Sequence, residues 1–333
     1  MSGTTRYRLL LAGLALLAAL LFIVSLVTGP ADVGAMASLK ALFSSEDDLM
    51  TLVMREIRLP RAILGLAIGA TLGLSGAVLQ GYLRNPLAEP GLLGISSSAS
   101  LGAVIAIYSG FAAVFPLALP LAALAGAGLA VLVVRAMAGS DGAVLTVILA
   151  GVAVSAFAGA MTSLALNLSP NPYAAMEIVF WMLGSLADRS MTHVWLAVPF
   201  MAVGWAMLAV CGRSLDALTL GADTAQSLGV DMRRVRFLAI VGTAASVGAA
   251  TAVAGAIGFV GLVVPHLLRP LTGSLPSRLL PASALGGAAM LLAADILVRV
   301  VMPGRDLKLG VLTAIVGAPF FLWLVFQTRR RML

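Results

Sequence analysis

The chain has 333 residues, of which 61% are hydrophobic and only 11% charged, with a mean hydropathy of +1.06. Soluble globular domains carry about 25% charged residues, so this composition excludes one and requires an integral membrane protein. The net charge of +7 is explained by membrane topology and contact with lipid headgroups, and needs no nucleic-acid partner.

Uncharged runs mark the spans, each of which needs ~20 residues. The first run, 9–31, follows Arg6 and Arg8. It lacks a small-residue cleavage site leading into a soluble domain, so it reads as a retained first helix and not a signal peptide. The next runs are 62–83 and 90–134; the second is long enough for two spans, broken near 109–116. Run 142–176 gives one span with an apolar tail, and run 194–212 gives another. Run 237–265 holds one span and a short interrupted one around Gly258. Runs 279–294 and 309–328 complete a set of about ten. The fold class predicted is an all-α polytopic membrane protein, a single domain over 1–333.

Basic residues orient it. With the N-terminus cytoplasmic and ten spans, 13 of the 21 lysines and arginines fall on inner segments and 8 on outer ones. That bias predicts a multi-pass protein with both termini cytoplasmic. The single cysteine, Cys211, has no internal disulfide partner.

Between the spans, the outer segment 29–61 closes on Arg55, Arg58 and Arg61, whose spacing of three places them on one side of any helix there. Pro60 predicts that regular helix does not continue beyond Leu59. Arginines at this level anchor to headgroups or meet a partner. Next, Arg84-Asn85-Pro86 and Glu89-Pro90-Gly91 separate two apolar runs, so Asn85 and Glu89 are expected outside regular helix. Gly91, Gly94 and Ser96 to Ser98 offer small surfaces for close packing in lipid. Gln80, near the inner end of its helix, needs an interhelical partner or a place along a polar path. Gly139-Ser140-Asp141-Gly142 reads as a tight inner turn.

Asn171 and Pro172 suit a turn, and Phe180-Trp181 an interfacial helix with an aromatic anchor. His193 and His266 are lone histidines, more in keeping with hydrogen-bonding roles than with metal ligation. The inner segment 213–236 alternates acids with arginines and predicts a short amphipathic helix around 223–228, stopped by Gly229. Asp295 stands alone on the apolar face of a span, and Arg299 one turn later offers an i,i+4 pair. The chain carries no GxxxxGK[ST] loop, metal-ligand cluster or serine nucleophile with a positioned base, so it is read as a non-enzyme with no cofactor, metal or catalytic residue.

The order of motifs is more specific than the physics. Gly76-Ala77-Val78-Leu79-Gln80 followed by Asn85-Pro86-Leu87-Ala88-Glu89-Pro90-Gly91-Leu92-Leu93-Gly94 resembles the signature of the FecCD or BtuC-like permeases. The resemblance resumes at Arg58-Leu59-Pro60-Arg61, Phe180-Trp181-Met182-Leu183-Gly184-Ser185, Leu228-Gly229-Val230, Gly258-Phe259-Val260-Gly261-Leu262-Val263-Val264-Pro265-His266 and Gly317-Ala318-Pro319-Phe320-Phe321.

It implies the membrane subunit of a bacterial type II ABC importer for haem, ferric siderophores or cobalamin. The subunit would sit in the inner membrane as a homodimer in contact with lipid. Two ATPases would lie below and one periplasmic substrate-binding protein above. By the same resemblance, Arg58, Arg61 and Arg299 would dock the binding protein. Segment 213–236 would hold the coupling helix against the ATPase, through Gly221, Asp223, Thr224, Ala225, Ser227, Leu228 and Gly229. Ala222 and Gln226 stand where the family pattern often has an acid and a base. Ser140 is the candidate cytoplasmic gate, and Gln80 a candidate lining of the path. Haem is the favoured substrate; a secondary transporter coupled through Asp295 is the rival of a different class.

Overall fold

The computed structural model describes residues 3–29, 34–44, 48–115, 117–139, 144–169, 171–301 and 307–332, with side chains described to Phe326. Among these residues the fold is entirely helical. In order, α1 is Gly3–Val27, α2 Ala35–Phe43, α3 Leu49–Leu52, then a π-helical stretch Val53–Arg58 runs into α4, Leu59–Tyr82. A 3₁₀ turn, Pro90–Leu93, precedes α5, Ile95–Tyr108, followed by α6, Phe111–Val114, α7, Ala118–Ala138, α8, Val144–Asn167, and α9, Pro172–Met182. The second half comprises α10, Met191–Val210, α11, Gly212–Leu218, α12, Ala222–Ser227, α13, Met232–Ala254, α14, Val260–Leu268, a 3₁₀ turn Pro270–Thr272, α15, Pro276–Val301, and α16, Leu309–Met332.

Eight of the described helical stretches are long and apolar enough to cross a membrane. The apolar α5, at 14 residues, and α14, at nine, lie where the two further spans were expected, and both are too short to cross as regular helix. They are short because the chain enters them through non-helical backbone: the loop ending at Gly94 for α5, and Gly255 to Phe259 for α14.

The helix at the centre is α4, buried along most of its length. Its N-terminal half (Leu64, Ile68) packs with Met201, Val247 and Leu291. Its C-terminal half (Val78, Leu79, Tyr82) packs with Leu208, Leu215, Ile240 and Leu280. Lipid offers no hydrophobic drive between helices, so close backbone approach and interhelical hydrogen bonds must supply the association. A Cβ added at Gly73 would run into the carbonyl oxygen of Ser283 on α15, and one at Gly287 into that of Gly69. Around this seam Trp205 Nε1 donates to Thr71 Oγ1 at 2.8 Å, and the hydroxyls of Ser75 and Ser246 lie 3.4 Å apart.

The expectation that Pro60 would end regular helix is overturned. Leu49 to Tyr82 runs as one stretch, with Arg58 and Leu59 both in right-handed helical geometry. Proline removes an N–H and crowds the carbonyl four residues back. The π-helical turn just before it, with its wider i→i+5 register, is where the chain absorbs that defect.

Two faces can be told apart by contacts. Tyr7 near the start of α1 donates to the Arg278 carbonyl at the start of α15, at 3.2 Å. The other end of α1 meets Arg299 near the end of α15. We term these the N-terminal face and the opposite face.

Candidate functional site: an arginine knot, an exposed helix and an interrupted span

On the opposite face the C-terminal end of α1 presents carbonyls with no intrahelical partner and the negative end of the helix dipole. Two of the sequence-predicted arginines cap it. Arg58 donates to the Leu26 and Val27 carbonyls at 3.2 and 3.3 Å, and Arg299 to those of Ser25 and Thr28 at 2.9 and 2.7 Å. Asp295, 1% exposed, accepts from Arg299 Nη2 at 2.9 Å, the i,i+4 pair read from the sequence. It also accepts from Arg61 through Nη2 at 2.8 Å and Nε at 3.0 Å, a partner the sequence did not reveal because α4 and α15 meet only in the fold. Arg58, Arg61 and Arg299 are thus brought together, Arg61 and Arg299 paired with Asp295 and Arg58 on the carbonyls of α1. Arg58 is sealed at 4% exposure, whereas the Arg61 side chain is the most open of the three at 18%.

On the N-terminal face, the predicted short helix is present as α12. The segment ends in a full Schellman arrangement, with Gly229 N–H on the Gln226 carbonyl at 2.8 Å and Val230 N–H on that of Ala225 at 3.0 Å. Gly229, at φ 85°, occupies the left-handed position this needs. Asp231 then caps α13 by accepting from the Arg233 and Arg234 N–H groups. Ala225 is the buried anchor, Ser227 Oγ bonds back to the Asp223 carbonyl at 3.0 Å, and Leu220 and Leu228 flank the helix at 65% and 64% exposure. The helix thus carries an exposed leucine on each side.

Gly255 to Phe259 separates α13, itself long enough to cross a membrane, from the nine-residue α14. Phe259 sits at φ 68°, a left-handed conformation unusual for a bulky residue, and its ring fills the space beside Gly317 on α16. Glu89, outside helix as expected, shares a cavity of about 140 Å³ with Ser96, Gly258 and Phe259. Gln80 is 1% exposed, its amide donating to the Gly261 and Leu262 carbonyls at 3.3 Å and its oxygen accepting from Arg269 at 2.7 Å. That places it in a filled interhelical network. Arg269, 189 residues away in sequence, is a partner only the fold supplies.

His193 closes a capping box with Ser190, their side chains 3.1 Å apart, and His266 meets Phe320 edge-on at 5.8 Å. Among the described residues no cluster of three metal-ligating side chains occurs. Ser140, with its tight turn, lies outside the described residues, as do Arg305 and the side chains of Arg329 to Arg331.

The described residues thus form a polytopic helical bundle with an exposed short helix on one face and an arginine cluster on the other. The chain belongs to the FecCD transport family, which it matches over residues 6–327. It is 41% identical over 277 residues to the Fe(3+) dicitrate transport system permease protein FecD of Escherichia coli, covering 83% of this chain and 86% of that one. Its identity to the hemin transport system permease protein HmuU of Yersinia pestis is 35% over 345 residues and 99% of both chains. A solved inward-facing metal-chelate type ABC transporter superposes with a TM-score of 0.84 at 32% identity, over 95% of this chain and 98% of that one. This is therefore a multi-pass inner-membrane permease subunit of an ABC importer of the iron-chelate, haem and cobalamin class, a transport component.

Proposed function

We propose that the chain imports an iron chelate, haem before ferric siderophores or cobalamin, as one half of a homodimer served by two ATPases and one periplasmic binding protein. The observation that carries the ATP-driven reading is α12, held rigid by its Schellman turn with Leu220 and Leu228 exposed on either side. That surface fits a coupling contact with an ATPase, made by Gly221, Asp223, Thr224, Ala225, Ser227, Leu228 and Gly229 within segment 213–236. The N-terminal face is then cytoplasmic, as the distribution of basic residues favours. Ser140 is kept as the cytoplasmic gate and Gln80 as a brace beside the path.

On the periplasmic side the arginine knot is the docking point, with Arg61 reaching solvent and Arg58 and Arg299 setting the field from beneath. Haem is favoured because the hemin permease relative aligns end to end with this chain. Closed two-fold symmetry is the commonest way for identical subunits to assemble. It would place two knots side by side for a single binding protein.

The test is reconstitution with the ATPase and binding protein in proteoliposomes. Uptake is expected to require ATP hydrolysis and to survive collapse of the proton gradient. Uptake driven by a pH gradient with no ATPase present would overturn the reading in favour of a carrier coupled through Asp295.

A further inference from the structure

Near the N-terminal face, α7 and α13 part around a hollow of about 180 Å³. Its mouth is cationic, with Arg135 from the last turn of α7 and Arg233 and Arg236 from the start of α13. Arg135 and Arg233 are exposed and Arg236 is half-buried, so all three are reached from outside. None of the described residues that line the hollow is acidic. The inner wall is apolar, made by Val131, Ile240 and Val241, which stand about a turn deeper in the same two membrane-spanning helices.

Two contacts fix where the guanidiniums lie. Arg135 Cζ sits over the Phe237 ring, 5.3 Å from its centroid, and Arg236 Nε donates to the Tyr82 hydroxyl at 3.2 Å. Tyr82 ends α4 at the end away from the arginine knot, which sets the hollow at the N-terminal face. A cation over an aromatic face keeps its N–H edge for an acceptor, and among the described residues nothing accepts from that edge of Arg135. Arg233 and Arg236 make further contacts of their own, so Arg135 is the donor on which recognition chiefly rests.

Three like charges around one hollow repel each other, and an anion seated among them turns that repulsion into attraction. The arginine fork matches phosphate oxygens in particular. The apolar wall and its neighbours favour a lipid over a soluble anion or a soluble protein: Leu132 is 65% and Phe237 44% exposed, beside the cations and towards the middle of the spans. Basic pockets of this kind between membrane helices hold anionic headgroups.

We propose that the hollow seats the phosphate of an anionic phospholipid from the leaflet on the N-terminal face, with its first acyl carbons along Val131, Ile240 and Phe237. The lipid would tie the end of α7 to the start of α13, the helix that follows α12. That this leaflet is the cytoplasmic one rests on the importer reading; the binding itself does not.

The purified permease in neutral detergent is titrated with phosphatidylglycerol or with phosphatidylcholine, and retained lipids are counted by native mass spectrometry. Phosphatidylglycerol should be held about tenfold more tightly, and inorganic phosphate at the same concentration should not displace it. Arg135→Gln should weaken its retention about fivefold, the effect of one arginine near an anionic surface. Phe237→Leu, which keeps the wall apolar and removes the ring beneath Arg135, should weaken it by a smaller factor, and decides alone if Arg135→Gln melts abnormally. Arg213→Gln makes the same charge change on α11, outside the hollow, and should retain the lipid as wild type does. Equal retention of the two lipids, or an Arg135→Gln protein indistinguishable from Arg213→Gln, would overturn the site. Displacement by inorganic phosphate would reduce it to a site for free anions, and loss of the ATPase from Arg135→Gln with phosphatidylglycerol retained would give the hollow to the ATPase contact instead. The lipid counts need only the permease, so failure of ATP-driven uptake strikes the importer reading and leaves this site standing.

Discussion

At the scale of single residues, Asp295 decides between two kinds of transporter. A lone carboxylate in a span suggests a proton route, but this one is 1% exposed and accepts from both Arg61 and Arg299. Losing its charge would leave two guanidiniums facing each other in a poorly solvated place, and breaking such a pair costs about 3–5 kcal/mol. Asp295→Asn is therefore expected to lower thermal stability markedly in detergent while leaving ATP-driven uptake per folded molecule largely intact. Adding Arg61→Met to that variant should cost less than the sum of the single changes, because the partners share one interaction. Normal melting with abolished uptake would instead assign Asp295 to the transport chemistry.

At the scale of elements, local signals were legible and cross-chain ones were not. The spans were readable because charge is excluded from them, and α12 because apolar spacing, an acid in its first turn and Gly229 after its end all agree. Asn171 was read as a turn residue; it proves to be the N-cap of α9, accepting from Ala174 N–H at 2.8 Å, with the same chemistry in a different element. Pro60 misled because the rule that proline ends a helix assumes α geometry upstream, and a π-helical turn evades it. The Arg61–Asp295 and Gln80–Arg269 contacts span 234 and 189 residues, a separation at which no local spacing carries information. Gly229 offers the sharpest test of an element. Alanine at φ 85° should cost about 1 kcal/mol and loosen the end of α12. With the partner ATPase reconstituted, Gly229→Ala should uncouple ATP hydrolysis from uptake before it affects folding, whereas Thr219→Ala, which lies outside the coupling residues and loses only a bond back to the Asp216 carbonyl, should be nearly silent. Equal coupling in both variants would remove α12 from the transmission path.

At the scale of the whole molecule, the arginine knot joins three distant parts of the chain: the end of α1, the start of α4 and the end of α15. It also adds net positive charge to the opposite face. Its three cations outnumber its one carboxylate, so it acts outward as a net positive field even though Arg58 and Arg299 are held by carbonyls. If that field guides an acidic binding protein, the association rate should follow the net charge of the knot and not the presence of any one hydrogen bond. Arg61→Gln removes one positive charge and should slow association about two- to threefold at low salt. Asp295→Asn, measured on the folded fraction, removes the negative charge and should quicken it. The double variant restores the wild-type net charge with the ion pair gone, and its rate should return to wild type. All four proteins should converge at 1 M salt, where the screening length falls to about 3 Å from about 10 Å at 0.1 M. Stopped-flow association over an ionic-strength series measures this directly. Identical rates and salt slopes across the four would leave the knot as a clamp on α1, and would move the docking surface elsewhere on that face.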